Sequence, residues 1–181
     1  MSAFTGTAQL YGRAKLDIEA ITVERGGIAV RPGLVYGEQA GGMAAALRKL
    51  TALPIVPVIS GGAGVYTVRE DEFMEVIALL AAAVDLGPGT ISLAHGERST
   101  LADLLSAFAA ADGRRCRFIP VPWQPIYGML RIGESMRLPL PFRADSLLGL
   151  VHTAPELLGQ DQLIRLGIKF SAFNSGATAW S

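Results

Sequence analysis

The chain has 181 residues, of which 50% are hydrophobic and 18% charged, with 16 basic and 16 acidic residues and a net charge of zero. This composition predicts a packed globular protein and excludes a disordered chain. Balanced charge without a basic patch excludes nucleic acid as a partner, and the longest apolar stretch, residues 76–84, is too short to cross a membrane.

The cysteine count and the N-terminal sequence predict the compartment. The chain has one cysteine, Cys116, which cannot form an internal disulfide. This predicts a reducing environment. No charged segment followed by an apolar run marks a secretory signal near Met1, so we expect a cytoplasmic protein.

Periodicity and turn residues predict an alternation of helices with short buried strands. In chain order the predicted elements are a helix over 10–24, a strand over 28–30, a helix over 43–53, an extended segment over 55–59, a helix over 71–84, a strand over 90–94, a helix over 100–111, an extended segment over 116–121, and helices over 127–136 and 144–151. Pro32 and Gly33 are expected to end the first strand in a loop, and the proline-rich residues 120–125 to form a rigid connector.

The first predicted helix carries a tyrosine and a lysine at positions i and i+4, Tyr11 and Lys15. Residues with this spacing share a helix face, so the Lys15 ammonium would favour the phenolate form of Tyr11. Such tuning suits a general acid or base. A solvated surface pair is the alternative interpretation, and the segment at residues 31–37 argues against it because it follows a buried strand, where α/β proteins bind ligands.

Three segments resemble the extended short-chain dehydrogenase/reductases, the NAD-dependent epimerase/dehydratase group. They are Tyr11-Gly-Arg-Ala-Lys15, Arg31-Pro-Gly-Leu-Val-Tyr-Gly37 and Val68-Arg-Glu-Asp-Glu-Phe73. The likeness covers about residues 8–125. It implies an α/β fold, with a partial Rossmann-like parallel sheet and a small mixed α/β portion of a substrate domain. We expect one domain over 1–170 and a flexible tail over 171–181.

The resemblance also implies a chemistry and a cofactor. Tyr11 matches the residue that exchanges a proton with a substrate hydroxyl or carbonyl, while NAD or NADP takes or gives a hydride. Lys15 matches the residue that lowers the tyrosine pKa and holds the nicotinamide ribose. The backbone of Pro32 and Gly33 matches the segment beside the nicotinamide. The expected cofactor-binding residues are therefore Tyr11, Lys15, Pro32 and Gly33. A metal site is not expected, because the two histidines, His95 and His152, lack ligand spacing to each other or to Cys116.

Two parts of the family pattern are absent. No strand, Gly-rich turn and helix precede Tyr11, although family members bind the pyrophosphate there. The chain therefore resembles a C-terminal portion, and we expect it to be inactive alone. The third catalytic group, a Ser or Thr, has only Ser2 as a candidate beside the capping residues Thr5 and Thr7.

The substrate remains open between a sugar, a nucleotide sugar and another small molecule. Leu34 stands where many nucleotide-sugar enzymes have Asn, and Val65 lies near the position of an Arg that meets the diphosphate. Arg48 and Arg69 could compensate, although a surface role is the simpler interpretation of each.

Two functions follow from these patterns. The first is an NAD(P)-dependent epimerase, dehydratase or reductase-like protein. The second is a non-catalytic remnant or an interaction module that completes its sheet with a partner, because the strand at 28–30 would lack a neighbour; the partner is then a second copy or another protein.

Overall fold

A computed structural model describes residues 10–39, 41–60, 64–82, 86–138, 143–151 and 154–173, except for the side chains of residues 10 and 11. The elements are α1 (Leu10–Glu24), β1 (Ile28–Pro32), β2 (Leu34–Tyr36), α2 (Gly42–Leu50), β3 (Ile55–Ile59), β4 (Val65–Arg69), α3 (Glu70–Ala82), β5 (Gly89–Leu93), β6 (Arg98–Ser99), α4 (Leu101–Ala111), β7 (Arg117–Val121), α5 (Trp123–Ser135), α6 (Ala144–Val151) and α7 (Gln160–Arg165).

The described strands form three small sheets, and most pairs are parallel. Strand β1 pairs with β5 from Ile28↔Gly89 to Pro32↔Leu93, and β3 pairs with β7 from residue 55 to residue 59. Strand β4 lies between its parallel neighbour β2 and the short antiparallel β6. Parallel strands joined through helices confirm the predicted α/β, partial Rossmann-like class.

Two hydrophobic clusters stabilise the fold. The first joins α2, α4 and strands β2, β3 and β4 through Leu47, Val56 and Phe108, which are all at most 2% exposed. The second joins α3, β5 and α7 through Val76, Ile91 and Leu163. Both faces of the strands therefore pack against apolar side chains, which explains why half of the chain is apolar.

Side-chain hydrogen bonds hold the first turns of two helices. The Thr100 hydroxyl accepts a hydrogen bond from the Asp103 amide at 3.1 Å and so caps the N-terminus of α4. Helix α6 begins against α5, because the Ala144 amide donates to the Glu134 carboxylate at 2.8 Å. Among the residues that the structure describes, no helix is both long and apolar enough to cross a bilayer.

Two expectations for turns were wrong. Pro32 and Gly33 do not open a loop, because β1 includes Pro32 and β2 begins at Leu34, with only Gly33 between them. The segment 120–125 is not a connector, because Pro122 is the N-cap of α5 and Pro125 lies in its first turn. Proline is tolerated there, since a first-turn residue needs no intrahelical amide bond.

The end of the described chain packs against the domain. The Ser171 amide donates to Glu72 at 3.1 Å, and the Phe173 ring meets Tyr36 edge-on with centroids 5.1 Å apart. Residues 174–181 of the expected tail lie outside the described residues. The division into 1–170 and 171–181 stays a prediction.

Candidate functional site

An open groove of about 640 Å³ runs beside β1 between α1 and α6. The described residues that line it are Lys15, Ile18, Glu19, Thr22, residues 28–34, Met43, Val65, Ser146, Gly149 and Leu150. A smaller cavity of about 190 Å³ shares Val65 and Leu150 with the groove. Clefts of this size accept small molecules and cofactors.

One face of α1 forms a wall of the groove. Lys15, Ile18, Glu19 and Thr22 recur three or four residues apart, which is the spacing of a single helical face. Tyr11 lies one turn before Lys15 on α1, and its side chain is outside the described residues. The assignment of Tyr11 as the acid/base therefore stays a prediction.

A salt bridge fastens this helix to β1. The Arg31 Nε atom donates to both Glu19 oxygens at 2.9 Å, and the two side chains are only 12% and 15% exposed. A bidentate contact of this kind fixes direction as well as distance. It holds the helix face that carries Lys15 against the strand that leads to Pro32 and Gly33.

The backbone at Gly33 passes close to two neighbouring strands. A Cβ atom at this position would lie 2.7 Å from the Tyr66 carbonyl oxygen and 2.9 Å from the Ala94 Cβ. The Gly33 amide also donates to the Leu93 carbonyl at 2.9 Å. Only glycine fits where the chain crosses from the β1–β5 pair to the β2–β4 pair.

The structure brings three of the predicted site residues to one groove, namely Lys15, Pro32 and Gly33. Ser2 lies outside the described residues, so its role as a third catalytic group stays a prediction. Sequence reasoning missed the wall formed by α6 and the pairing of Glu19 with Arg31. A signal was available for the pair, because Glu19 follows Lys15 by four residues and Arg31 opens the second family segment.

The remaining polar candidates have local partners. The ring Nδ1 of His95 accepts from the Glu97 amide at 3.2 Å, which fits a loop residue with a satisfied ring. Cys116 packs partly buried against the first hydrophobic cluster, as expected of a small apolar residue. His152 lies outside the described residues. In the described ranges, no three His, Cys, Asp or Glu side chains are grouped to hold a metal ion.

Tyr36, in the second family segment, is buried and has an unusual pKa. Its ring is 3% exposed. Burial, followed by the nearby Glu72 charge, raises the pKa of Tyr36 to about 12. Tyr36 therefore stays neutral at physiological pH and is a packing residue of the first hydrophobic cluster.

Comparisons with known proteins identify the fold. No family model and no curated protein matches the chain. Among solved structures, it is 20% identical to the UDP-glucose 4-epimerase of Thermus thermophilus in complex with NAD, with a TM-score of 0.53, covering 93% of this chain and 49% of the other. A second match is a human epimerase family protein with NADPH, 19% identical over 84% of this chain and 46% of the other, with a TM-score of 0.59.

A third match is the UDP-glucose-4-epimerase of Stenotrophomonas maltophila with bound NAD and formylated UDP-arabinopyranose. It is 17% identical, with a TM-score of 0.58, over 91% of this chain and 51% of the other. The chain has the fold of about half of these epimerases. It spans about half the length of each of these solved chains, and at these identities the likeness is one of fold.

Proposed function

We propose that this chain forms the acid/base half of an NAD(P)-dependent epimerase, dehydratase or reductase. The observation that carries the proposal is the shared groove, in which the Lys15 side chain of α1 lies with Pro32 and Gly33 at the carboxyl end of β1. Ligands of α/β sheets bind at this end of the strands. The solved structures with the same fold are complexes with NAD or NADPH, which supports a nicotinamide cofactor.

The residues of the groove fit that cofactor. Lys15 is half-buried, so its ammonium could meet a ribose hydroxyl while its stem stays packed. Pro32 and Gly33 line the groove at the end of β1, where the nicotinamide would lie beside them. NAD or NADP, when bound, supplies the hydride acceptor or donor.

Proton transfer is the task of this chain. In an oxidation, the Tyr11 phenolate takes the proton of the substrate hydroxyl; in a reduction, the Tyr11 phenol returns a proton to the carbonyl oxygen. The Lys15 charge stabilises the phenolate and keeps the pKa of Tyr11 near the working range of a general base. The Glu19–Arg31 salt bridge keeps this helix in place beside β1.

Tyrosine titration tests the pair directly on the 181-residue chain. The four tyrosines carry a ring label at Cζ, whose chemical shift reports ionisation in NMR spectra. We expect Tyr11 to ionise at the lowest pH of the four, and Lys15→Met to raise its pKa by about one unit or more.

Arg13→Met is the matched control. It removes a cation from the same helix, but Arg13 is exposed and two residues from Tyr11, so it faces another direction. We expect this variant to leave the Tyr11 titration nearly unchanged. If Lys15→Met and Arg13→Met have equal effects, the acid/base proposal is wrong.

A second candidate function, a module that completes its sheet with a partner, is favoured by the free edge of β1. Among the described strands, β1 pairs with β5 alone. The Gly27 carbonyl and the Gly33 amide both bond toward β5, so by strand alternation the amides of Ile28 and Val30 face the groove. An edge of this kind can accept an additional strand.

Val30→Pro separates this function from the first. It deletes one edge amide while leaving the bonds to β5 in place, because proline is tolerated on an edge. Light scattering of the unaltered chain should show association that rises with concentration, and Val30→Pro should reduce it. A clean monomer at all concentrations would contradict the sheet-completion function.

Calorimetry with NAD and NADP discriminates the two functions further. The sequence holds no Gly-rich turn between a strand and a helix, so we expect no saturable heat with this chain alone. Tight binding of either dinucleotide would exclude the non-catalytic alternative.

A further inference from the structure

The groove carries little charge that a ligand could use. Three charged residues line its described part, namely Lys15, Glu19 and Arg31. Glu19 and Arg31 neutralise each other through the bidentate salt bridge. In the proposed function Lys15 serves Tyr11 and the nicotinamide ribose, so the described lining offers no further cation to an anionic substrate.

The walls near the carboxyl end of β1 are apolar instead. Leu34 and Val65 are 9% and 5% exposed, and Met43 and Leu150 lie beside them at the groove. The adjoining cavity continues this surface with Val58, among other apolar residues. Burying apolar ligand surface against such walls favours binding. A charged ligand group loses its hydration there, which opposes binding.

Three arginines in other parts of the described chain have partners away from the groove. Arg48 forms a salt bridge with Asp112 that holds the pKa of that carboxyl below its usual value, and Arg69 pairs with Asp71 at 2.5 Å. The Arg98 guanidinium stacks 4.8 Å above the ring centroid of Tyr66. These three arginines do not line the groove.

We infer that this chain's side of the groove takes an uncharged, largely apolar carbonyl or hydroxyl compound, and not a nucleoside-diphosphate sugar. The inference rests on the proposed function, since it assigns a substrate class to that site. A diphosphate needs charge-assisted donors to replace its water. Against Leu34, Met43 and Val65 its oxygens would lose hydration without gaining such bonds.

The methionine methyl groups report occupancy of the groove. Met43 lies in the groove, whereas Met74 on α3 is 60% exposed and lies outside it. The methyl groups of both are labelled and observed by NMR. Acetophenone, a neutral aromatic ketone, is expected to shift the Met43 signal to saturation and to leave Met74 unmoved. UDP-glucose at millimolar concentration is expected to move neither.

Two arginine substitutions make the test independent of that signal. Met43→Arg adds a cation to the groove, and calorimetry should show acetophenone binding at least tenfold weaker and UDP binding newly measurable. Met74→Arg adds the same charge outside the groove and should change neither affinity. Circular dichroism confirms that both variants are folded.

The outcomes are decisive in both directions. Saturable movement of Met43 with UDP-glucose overturns the inference, and so does the absence of any Met43 movement with acetophenone. These readouts do not involve tyrosine ionisation. A result that overturns the inferred substrate class therefore does not change the conclusion from the Tyr11 titration. If Tyr11 does not titrate as expected but acetophenone shifts Met43, the acid/base function is wrong and the apolar binding site remains.

Discussion

Gly33→Ala tests whether the crossing between the two strand pairs requires bare backbone. The added Cβ would lie 2.7 Å from the Tyr66 oxygen and 2.9 Å from the Ala94 Cβ, whereas ordinary contacts begin near 3.4 Å. The Tyr66 oxygen is a backbone atom and the Ala94 Cβ is bonded directly to the backbone. Hydrogen bonds such as His95 N to Thr67 O at 2.9 Å hold these segments, so neither neighbour moves easily. Overpacking of this kind costs about 1–3 kcal/mol, and we expect the upper part of that range.

Gly128→Ala is the matched control, because it makes the same chemical change inside α5, where an added Cβ meets nothing within 4 Å. Alanine in a helix interior is more stable than glycine by about 0.5–1 kcal/mol. The two variants should therefore differ by about 3 kcal/mol in the free energy of unfolding, with the unaltered chain between them.

Urea unfolding followed by circular dichroism measures this difference, provided that the m-value is unchanged. In a chain of this length each kcal/mol shifts Tm by roughly 2–4 °C, so thermal scans give a second reading. A Gly33→Ala variant as stable as the unaltered chain would refute the close approach. A destabilised Gly128→Ala would refute the account of α5.

Three further predictions concern a buried tyrosine, a salt bridge and a helix cap. The folded-state pKa of Tyr36, about 12, exceeds its unfolded value of 10, so its contribution to stability is present below pH 10 and is lost as the pH rises toward 12. Tyr36→Phe should make the fall in the free energy of unfolding over this range less steep, as measured by urea unfolding at alkaline pH. Arg31→Met should cost about 2 kcal/mol by leaving Glu19 unpaired, and adding Glu19→Leu should recover part of it, as a double-mutant cycle would show. Thr100→Ala should cost about 1 kcal/mol in the same assay, and Thr100→Ser should restore most of it.

The helices were predictable because their signals are local. The Thr100–Asp103 cap and the apolar spacing of residues 10–24 act within a few residues, and the structure has α1 and α4 at those places. Helix α7 was missed because it has six residues, too few for a periodic pattern.

The strand pairing was not predictable, because it joins residues far apart in sequence. Strand β4 was not predicted, although four of its five residues are buried beside β2. Residues 55–59 and 116–121 were predicted as extended segments and form β3 and β7, but nothing in the sequence pairs them, and each contains a proline, Pro57 or Pro120. The β3–β7 sheet has two strands, so each strand keeps one edge without a partner strand. A proline is tolerated on such an edge, because no amide is needed there for a ladder hydrogen bond.

The grouping of residues in the groove was predictable as far as it depends on a motif, and the roles of these residues stay predictions. The spacing of Lys15 from Tyr11 and the segment from residue 31 placed Lys15, Pro32 and Gly33 in one groove. The salt bridge between Glu19 and Arg31, and the wall formed by α6, depend on how α1 and α6 pack. Single-sequence patterns do not contain that information.

The second hydrophobic cluster has a consequence for synthesis on the ribosome. Strand β1 waits for β5, about sixty residues later, before its parallel pairing can form. Leu163, Ile168 and Phe170, which pack in the same cluster as β5, are translated about seventy residues after β5. At typical elongation rates of roughly 5–20 residues per second, these three side chains follow β5 by several seconds, and until then only the earlier part of the cluster is available to β5. During that interval the nascent chain exposes apolar surface that the finished fold buries, which makes aggregation more favourable.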